Sequence, residues 1–199
     1  MATRGIVRIA LAAAAALVLT VPAMAAMSGG STAGGTTING TKYNFGSAGW
    51  SLDPKFAKQE VSYPTTEAPG TIIISTHKRF LYLVLGNGKA LRYGIGVGRY
   101  GFTWQGVEKV SRKAEWPDWH PPKEMQLRDP TVPDFMKGGP GNPLGARAMY
   151  LGNTEYRIHG TAQPWTIGTS VSSGCIRLTN DDVTDLYNRV KIGAKVIVQ

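Results

Sequence analysis

The sequence predicts a mainly β domain with one amphipathic helix near its C-terminal end. Its 199 residues include 25 glycines and 12 prolines, which indicates many turns. Runs of β-branched and aromatic residues of strand length occur at 71–76 and 80–85. An apolar content of 42% is enough for one sizeable core. We therefore expect a single β-rich domain rather than two domains or a helical bundle.

The first 25 residues have the composition of a secretory signal peptide. Arg4 and Arg8 give a positive start, residues 9–21 are apolar, and Ala23-Met24-Ala25 places small residues where a signal peptidase reads them. The apolar run is short for a transmembrane span, and no cysteine follows it to take a lipid. We expect cleavage after Ala25 and an exported protein with no stable membrane span. An uncleaved anchor is the alternative.

Residues 26–59 are rich in Gly, Ser and Thr and predict a flexible tether ahead of a domain at 60–199. Inside that domain, Gly86-Asn87-Gly88 separates two strand-like runs, and Asn-Gly supplies the positive φ that a tight hairpin needs. A further strand pair is expected at 148–151 and 156–159, which places His159 at a strand end.

A helix is predicted at 180–190, followed by a closing strand at 194–198. Thr179-Asn180-Asp181-Asp182 has the form of a capping box with two acids in the first turn. Apolar residues then recur at i, i+3, i+4 and i+7, which is helical spacing. These residues are Val183, Leu186, Tyr187 and Val190.

The formal net charge of +9 favours a polyanionic neighbour, whether nucleic acid, anionic lipid or a carboxylate-rich polymer. No recognition-helix signature, zinc spacing or interleaved aromatic and basic strand motif is visible. Nucleic acid is therefore not the expected partner.

The candidate chemistry centres on Cys175, the single cysteine, and on His159, sixteen residues upstream. A thiol attacks as thiolate, and an imidazole that accepts its proton is the usual means of forming one near neutral pH. Gly174 leaves room for a substrate carbonyl to approach backbone N–H donors. The residue types alone leave open a buried apolar cysteine with a locally bonded histidine.

IHGT at 158–161 and SSGCIRL at 172–178 together resemble the signature of the L,D-transpeptidases, the YkuD-type (ErfK/YbiS-like) catalytic domain of bacterial cell-wall enzymes. The resemblance covers about residues 60–199. It implies a YkuD-like β-sandwich or barrel with the helix after the cysteine motif. It also implies that Cys175 is the nucleophile, His159 its base, and the Gly160 carbonyl the group that orients the imidazole. No cofactor is implied.

The resemblance further implies acyl transfer on peptidoglycan stem peptides in the periplasm or cell wall. The thiolate would attack the bond between diaminopimelate and D-Ala of a tetrapeptide stem, with backbone N–H groups near Ser173, Gly174 and Cys175 holding the oxyanion. The resulting thioester would pass to an amine of a second stem or of an outer-membrane or wall-anchored protein. Water as acceptor would make the enzyme a carboxypeptidase. Ser173 stands where family members often carry a histidine.

Four residues are expected to contact substrate. Arg177 follows the family's CIR or CVR pattern, and its guanidinium suits a stem carboxylate, with an internal salt bridge as the alternative. Trp116, Trp119 and Asn142 lie in a long irregular segment, 99–145. Its sequence motifs resemble those of the loop and strand that cover the catalytic cleft in the family. Packing beneath the loop is the alternative for the tryptophans.

Two other classes of function remain open. A metal site could combine Cys175, His159 and His120, although no paired ligand spacing supports it. A catalytically silent wall-binding protein on the same scaffold is the second.

Overall fold

The computed structural model describes residues 36–38, 41–43 and 50–199. The predicted signal peptide and its cleavage site lie outside these residues. Strands β1 (Thr36–Ile38) and β2 (Thr41–Tyr43) form an antiparallel hairpin within the segment predicted to be a tether. Within the described part of the chain, no helix is long and apolar enough to cross a membrane.

Most of the remaining chain builds one mixed sheet. The remaining strands are β3 (Gln59–Ser62), β4 (Ile72–Ser75), β5 (Phe80–Gly86), β6 (Lys89–Gly94), β7 (Val97–Gly98), β8 (Gly106–Glu115), β9 (Arg147–Leu151), β10 (Arg157–His159), β11 (Ser170–Ser172), β12 (Ile176–Arg177) and β13 (Lys195–Val198). The order in the main sheet is β12-β10-β9-β8-β13-β4-β5-β6-β3, and β7 pairs with β11 separately. The pairs β10–β12, β13–β4 and β7–β11 are parallel. The predicted mainly β fold is confirmed.

Both strand pairs expected from the sequence form. β5 and β6 are a hairpin in which Asn87 adopts a φ of 51°, as the Asn-Gly turn requires. β9 and β10 pair antiparallel, and His159 is the last residue of β10. His159 is thereby held at the end of a strand whose other neighbour, β12, follows the cysteine.

The described residues contain two α-helices, α1 (Lys123–Arg128) and α2 (Asn180–Arg189). α2 is the predicted helix, and Thr179 caps it by accepting a hydrogen bond from the Asp182 N–H at 3.1 Å. α1 was not predicted, because its six residues lie in the proline-rich segment and show no apolar period. Short 3₁₀ turns occupy Pro54–Phe56 and Pro164–Thr166.

α2 packs against β9 and β10, behind the strands that carry the candidate site. Its apolar face joins a continuous core with the sheet. The fully buried side chains of that core include Ile72, Ile74, Leu81, Tyr93, Met149, Leu151, Ile158, Ile176, Leu178 and Leu186. Ile158 and Ile176 are register partners across β10 and β12, so one face of this parallel pair is fixed in the core. The other face is left for the site.

Asp182 gives a first testable prediction, on stability. Its side chain is 8% exposed, and burial raises its pKa to about 6, against smaller opposing effects of Thr179 and Lys58. A carboxyl whose folded-state pKa lies above the unfolded value costs stability when ionised. That cost is present above pH 6 and disappears as the pH falls towards 4. We expect Asp182→Asn to raise the free energy of unfolding at pH 7.5 by roughly 2 to 3 kcal/mol and to have little effect at pH 4.

Urea unfolding at the two pH values measures this difference. Asp181→Asn is the control and should change stability less, because Asp181 is more exposed and burial raises its pKa less than that of Asp182. Equal destabilisation by Asp182→Asn at both pH values would show that the carboxylate is not strained by burial.

Candidate active site

Four functional side chains share one face at the edge of the sheet. Arg157 and His159 are two residues apart in β10 and therefore point to the same side. The register of β10 with β12 sets His159 beside Arg177, and Cys175 precedes Arg177 by two positions. All four line a cavity of about 400 Å³. The parallel pairing thus brings together the histidine and the cysteine that the sequence analysis singled out.

Another part of the cavity lining comes from the long segment predicted to cover the cleft. Trp119, Pro122, Met125 and Leu144 contribute apolar surface there, and Glu124 of α1 contributes a carboxylate. A largely apolar cavity with a few polar groups converging on one end is the usual form of a small-ligand site.

The imidazole of His159 is held in one tautomer. It is 3% exposed, and its Nδ1 lies 2.5 Å from the Gly160 carbonyl oxygen. Because a carbonyl only accepts, Nδ1 carries the proton and Nε2 is the basic nitrogen. The Gly160 N–H in turn donates to the Arg147 carbonyl at 3.0 Å. Gly160 therefore has the orienting position that the resemblance implied.

Asn180 fixes the backbone around this histidine from the start of α2. Its Oδ1 accepts from the Ala146 N–H at 2.8 Å, and its Nδ2 donates to the Thr161 carbonyl at 2.9 Å. A Cβ on Gly160 would collide with the same Oδ1, so the position has room only for glycine. The glycine of IHGT is thus explained by close packing rather than by an unusual φ.

Burial is the main reason that His159 is neutral. Desolvation and the positive charges of Arg177 and Arg157 lower the pKa of His159 to about 3, although hydrogen bonds to the backbone of Gly160 and Leu144 oppose them. At neutral pH the imidazole is therefore unprotonated and able to accept a proton at Nε2.

Cys175 is a protonated thiol at rest. Its Sγ lies 3.8 Å from the Glu155 carbonyl oxygen, the distance of a weak S–H···O hydrogen bond. Burial raises the pKa of Cys175, and the charges of Arg157 and Arg177 oppose that rise. The resting site is a neutral thiol and a neutral imidazole in one cavity, flanked by two guanidinium groups.

The turn before the cysteine is fixed by three hydrogen bonds. Ser172 Oγ donates to the Cys175 carbonyl at 2.6 Å and accepts from the Gly174 N–H at 3.2 Å. Trp104 Nε1 donates to the Gly174 carbonyl at 3.1 Å. The Gly174 N–H, one of the amides predicted near the oxyanion, is thus already engaged. Ser173, in the position where relatives often have histidine, accepts a hydrogen bond from Arg99 Nη1 at 3.3 Å.

The aromatic pair beside this turn was not predicted from the sequence. The rings of Trp104 and Tyr156 are stacked, with centroids 4.5 Å apart and planes 6° from parallel. The stack holds the Trp104 indole where it bonds the Gly174 carbonyl. Nothing in the local sequence marks these two residues, because they are distant in the chain and meet only in the fold.

Arg157 was also not predicted, although its charge acts on Cys175 together with that of Arg177. The Nε atoms of both arginines are buried without a hydrogen-bond partner in the described structure. The internal salt bridge considered for Arg177 does not form among residues 50–199. Burial lowers the pKa of Arg177. The Arg177 guanidinium is thus partly desolvated, and both arginines line the cavity with an Nε–H that has no acceptor among the described residues.

The other predicted substrate contacts, which lie in the long segment, differ in their positions relative to the cavity. Trp119 is 9% exposed and lines the cavity, and its contact with substrate stays a prediction. Asn142 is 1% exposed, donates to the Met136 and Lys137 carbonyls, and accepts from the Leu144 N–H. Its amide is therefore saturated within the loop, and we revise its role from substrate contact to loop support.

Trp116 and His120 lie outside the residues that line the cavity. Trp116 follows β8 directly, and its N–H donates to the Ala146 carbonyl at 2.9 Å. The ring of His120 packs against Phe135 at a centroid distance of 5.1 Å. Across the described ranges, no group of three or more His, Cys, Asp or Glu side chains is arranged to hold a metal ion.

The sheet, the helix behind it and the Cys–His cavity define a YkuD-type domain. Residues 69–198 match the family model of the L,D-transpeptidase catalytic domain, YkuD, and the chain belongs to this family. The probable L,D-transpeptidase ErfK/SrfK of Escherichia coli K12 is 36% identical over 146 residues, which are 69% of this chain and 46% of that protein. The chain spans about half the length of the curated relatives it matches.

Solved structures agree on the fold. An L,D-transpeptidase from Mycobacterium smegmatis superposes with a TM-score of 0.51 at 19% identity, over 65% of this chain and 58% of that one. This likeness confirms the predicted YkuD fold. A structure from Brucella melitensis is 54% identical, with a TM-score of 0.50 over 74% of this chain and 96% of that one. It is described as a probable carnitine operon oxidoreductase, a chemistry that the family match of this chain does not share.

Proposed function

We propose that this chain is an exported peptidoglycan L,D-transpeptidase in which Cys175 forms a thioester with the diaminopimelate carbonyl of a tetrapeptide stem. The observation that carries the proposal is the thiol and the single-tautomer imidazole in one cavity, beside two arginines whose Nε–H groups have no acceptor among the described residues. Family membership supports acyl transfer as the reaction. Export is inferred from the signal-like segment at 1–25, with the periplasm or cell wall as the place of action.

Attack begins from the neutral pair. As Sγ of Cys175 approaches the scissile carbonyl, Nε2 of His159 takes its proton, and the Gly160 carbonyl stabilises the imidazolium through Nδ1–H. The negative charge moves to the carbonyl oxygen. Because the Gly174 N–H is bonded to Ser172, we assign oxyanion stabilisation to the N–H groups of Ser173 and Cys175.

Collapse of the oxyanion breaks the C–N bond. The leaving D-Ala nitrogen takes the proton from His159, which leaves a thioester and a neutral imidazole. An acceptor amine then attacks the thioester, His159 takes a proton from the amine, and the thiol is restored. The acceptor is a second stem peptide or an outer-membrane or wall-anchored protein. If water is the acceptor, the thioester is hydrolysed and the enzyme is a carboxypeptidase.

The surrounding residues divide into contacts and supports. Arg177 binds a stem carboxylate, and Trp119 packs on the stem from the long segment. Trp116 and Asn142 act through the loop that carries Trp119 and Leu144. The basic charge of the chain, formally +9, suits the carboxylate-rich wall as a partner.

Intact mass spectrometry tests the proposal. Wild type and Cys175→Ala are incubated with a disaccharide tetrapeptide and, separately, with a carbapenem that acylates nucleophiles. We expect a covalent adduct on the wild type alone, together with cross-linked muropeptide dimers that have lost D-Ala. Loss of D-Ala without dimers assigns the enzyme to the carboxypeptidase alternative. If the wild type forms no adduct and shows no turnover, the enzymatic proposal is overturned and a silent wall-binding scaffold is favoured.

A further inference from the structure

Arg157 and Arg177 flank His159 on two sides. Arg157 lies two residues before it along β10, and Arg177 lies beside it across the parallel pair with β12. Both line the cavity, and both have a buried Nε without a hydrogen-bond partner in the part of the chain that the structure describes. Two positive charges that line one cavity, each with an Nε–H that has no acceptor among these residues, favour an anionic ligand between them.

The position of the leaving group follows from the chemistry proposed above. The nitrogen that departs must take its proton from His159, so the residue attached to it lies against the imidazole. The carboxylate of that residue is separated from the scissile carbon by two atoms, a distance of less than about 4 Å. It therefore falls between the two arginines that flank the imidazole.

On this ground, which rests on the proposed function, we propose that Arg157 completes with Arg177 a subsite for the free carboxylate of the leaving residue. Arg157 is thus a specificity-determining residue. A stem that ends at the leaving residue places a carboxylate between the guanidinium groups. A stem extended by one more residue, or amidated at its end, places a neutral amide there, whose single carbonyl oxygen gives the two cations no counter-charge.

The surroundings of Arg157 hold its guanidinium in place and favour the binding of a carboxylate there. Its guanidinium carbon lies 5.4 Å from the centre of the Tyr150 ring, and the guanidinium of Arg112 contacts the same ring at 3.6 Å. Glu124 and Glu155 also line the cavity, and their charges repel a substrate carboxylate from those parts of the wall. The two arginines remain as the place where an anionic end group is stabilised.

The test compares two donors that differ only at the end group, a disaccharide tetrapeptide and its C-terminal amide. The measured quantity is the second-order rate constant of thioester formation with each donor. For the wild type we expect a preference of about 100-fold or more for the free acid. Arg157→Gln should reduce the preference to below about 10-fold, and Arg157→Lys should restore part of it. The ratio between donors cancels any change in thiol reactivity, which the pH profile of iodoacetamide alkylation records separately.

Arg112→Gln is the matched control, because it removes the same charge from the same aromatic partner at an exposed position outside the cavity. It should keep the full preference for the acid. Equal use of both donors by the wild type would overturn the subsite while leaving the transpeptidase proposal intact, whereas no reaction with the tetrapeptide would overturn the proposed function itself. An undiminished preference in folded Arg157→Gln, or an equal loss in Arg112→Gln, would also refute the role of Arg157.

Discussion

His159→Gln is expected to slow thioester formation from the tetrapeptide by 10²- to 10⁴-fold, the range for loss of a positioned general base. Glutamine is polar and close in size, but it cannot accept a proton at the place of Nε2. The thiol would then have to lose its proton to water, against a pKa that burial already raises. Intact mass spectrometry at timed intervals measures the rate, and circular dichroism verifies that the variant is folded.

The pH profile of the wild type sharpens this prediction. The reactive form of the site is the neutral pair, and the pKa of His159 is lowered to about 3 while that of Cys175 is raised above its usual value. The fraction of enzyme in that form is therefore constant from about pH 5 to pH 8. We expect a flat acylation rate across this range, without a step near the ordinary imidazole pKa of about 6.5. A rate that falls as the pH drops through 6.5 would mean that His159 is exposed to solvent or paired with a preformed thiolate.

The parts of the fold that could be predicted from the sequence are those that depend on residues close together in the chain. Asn87 sets the β5–β6 turn through its own positive φ, and Thr179 caps α2 three residues from its partner. The Cys175 and His159 pair was recognisable because two short motifs carry it. Each of these signals is complete within a few residues.

The parts that the sequence did not predict depend on contacts between distant segments. Arg157 became part of the site only when the parallel register of β10 and β12 aligned its face with that of Cys175. Trp104 and Tyr156 meet as a stack although neither has a local marker. Asn142 has the same residue type whether its amide meets substrate or loop carbonyls, and only the three hydrogen bonds in the structure decide between the two.

Gly174→Ala is expected to lower the acylation rate by at least about 100-fold, comparable to the loss of an oxyanion donor. Gly174 has a φ of +106°, and a Cβ there would lie 2.5 Å from Cε1 of Tyr156. The Tyr156 ring cannot retreat freely because it is stacked on Trp104, whose indole holds the Gly174 carbonyl. The turn must therefore move instead, and it carries the Cys175 N–H and thiol out of line with the carbonyl to be attacked.

Gly193→Ala separates this effect from backbone strain alone. Gly193 has a similar φ of +87°, but no atom lies within 4 Å of the position that a Cβ would take. Both variants should therefore lose stability by about 1 to 3 kcal/mol from the strained backbone, while only Gly174→Ala loses acylation. Thermal unfolding and timed mass spectrometry give the two readouts. If Gly174→Ala acylates at the wild-type rate, the aromatic stack does not position the turn, and the glycine before the cysteine serves only to relieve strain.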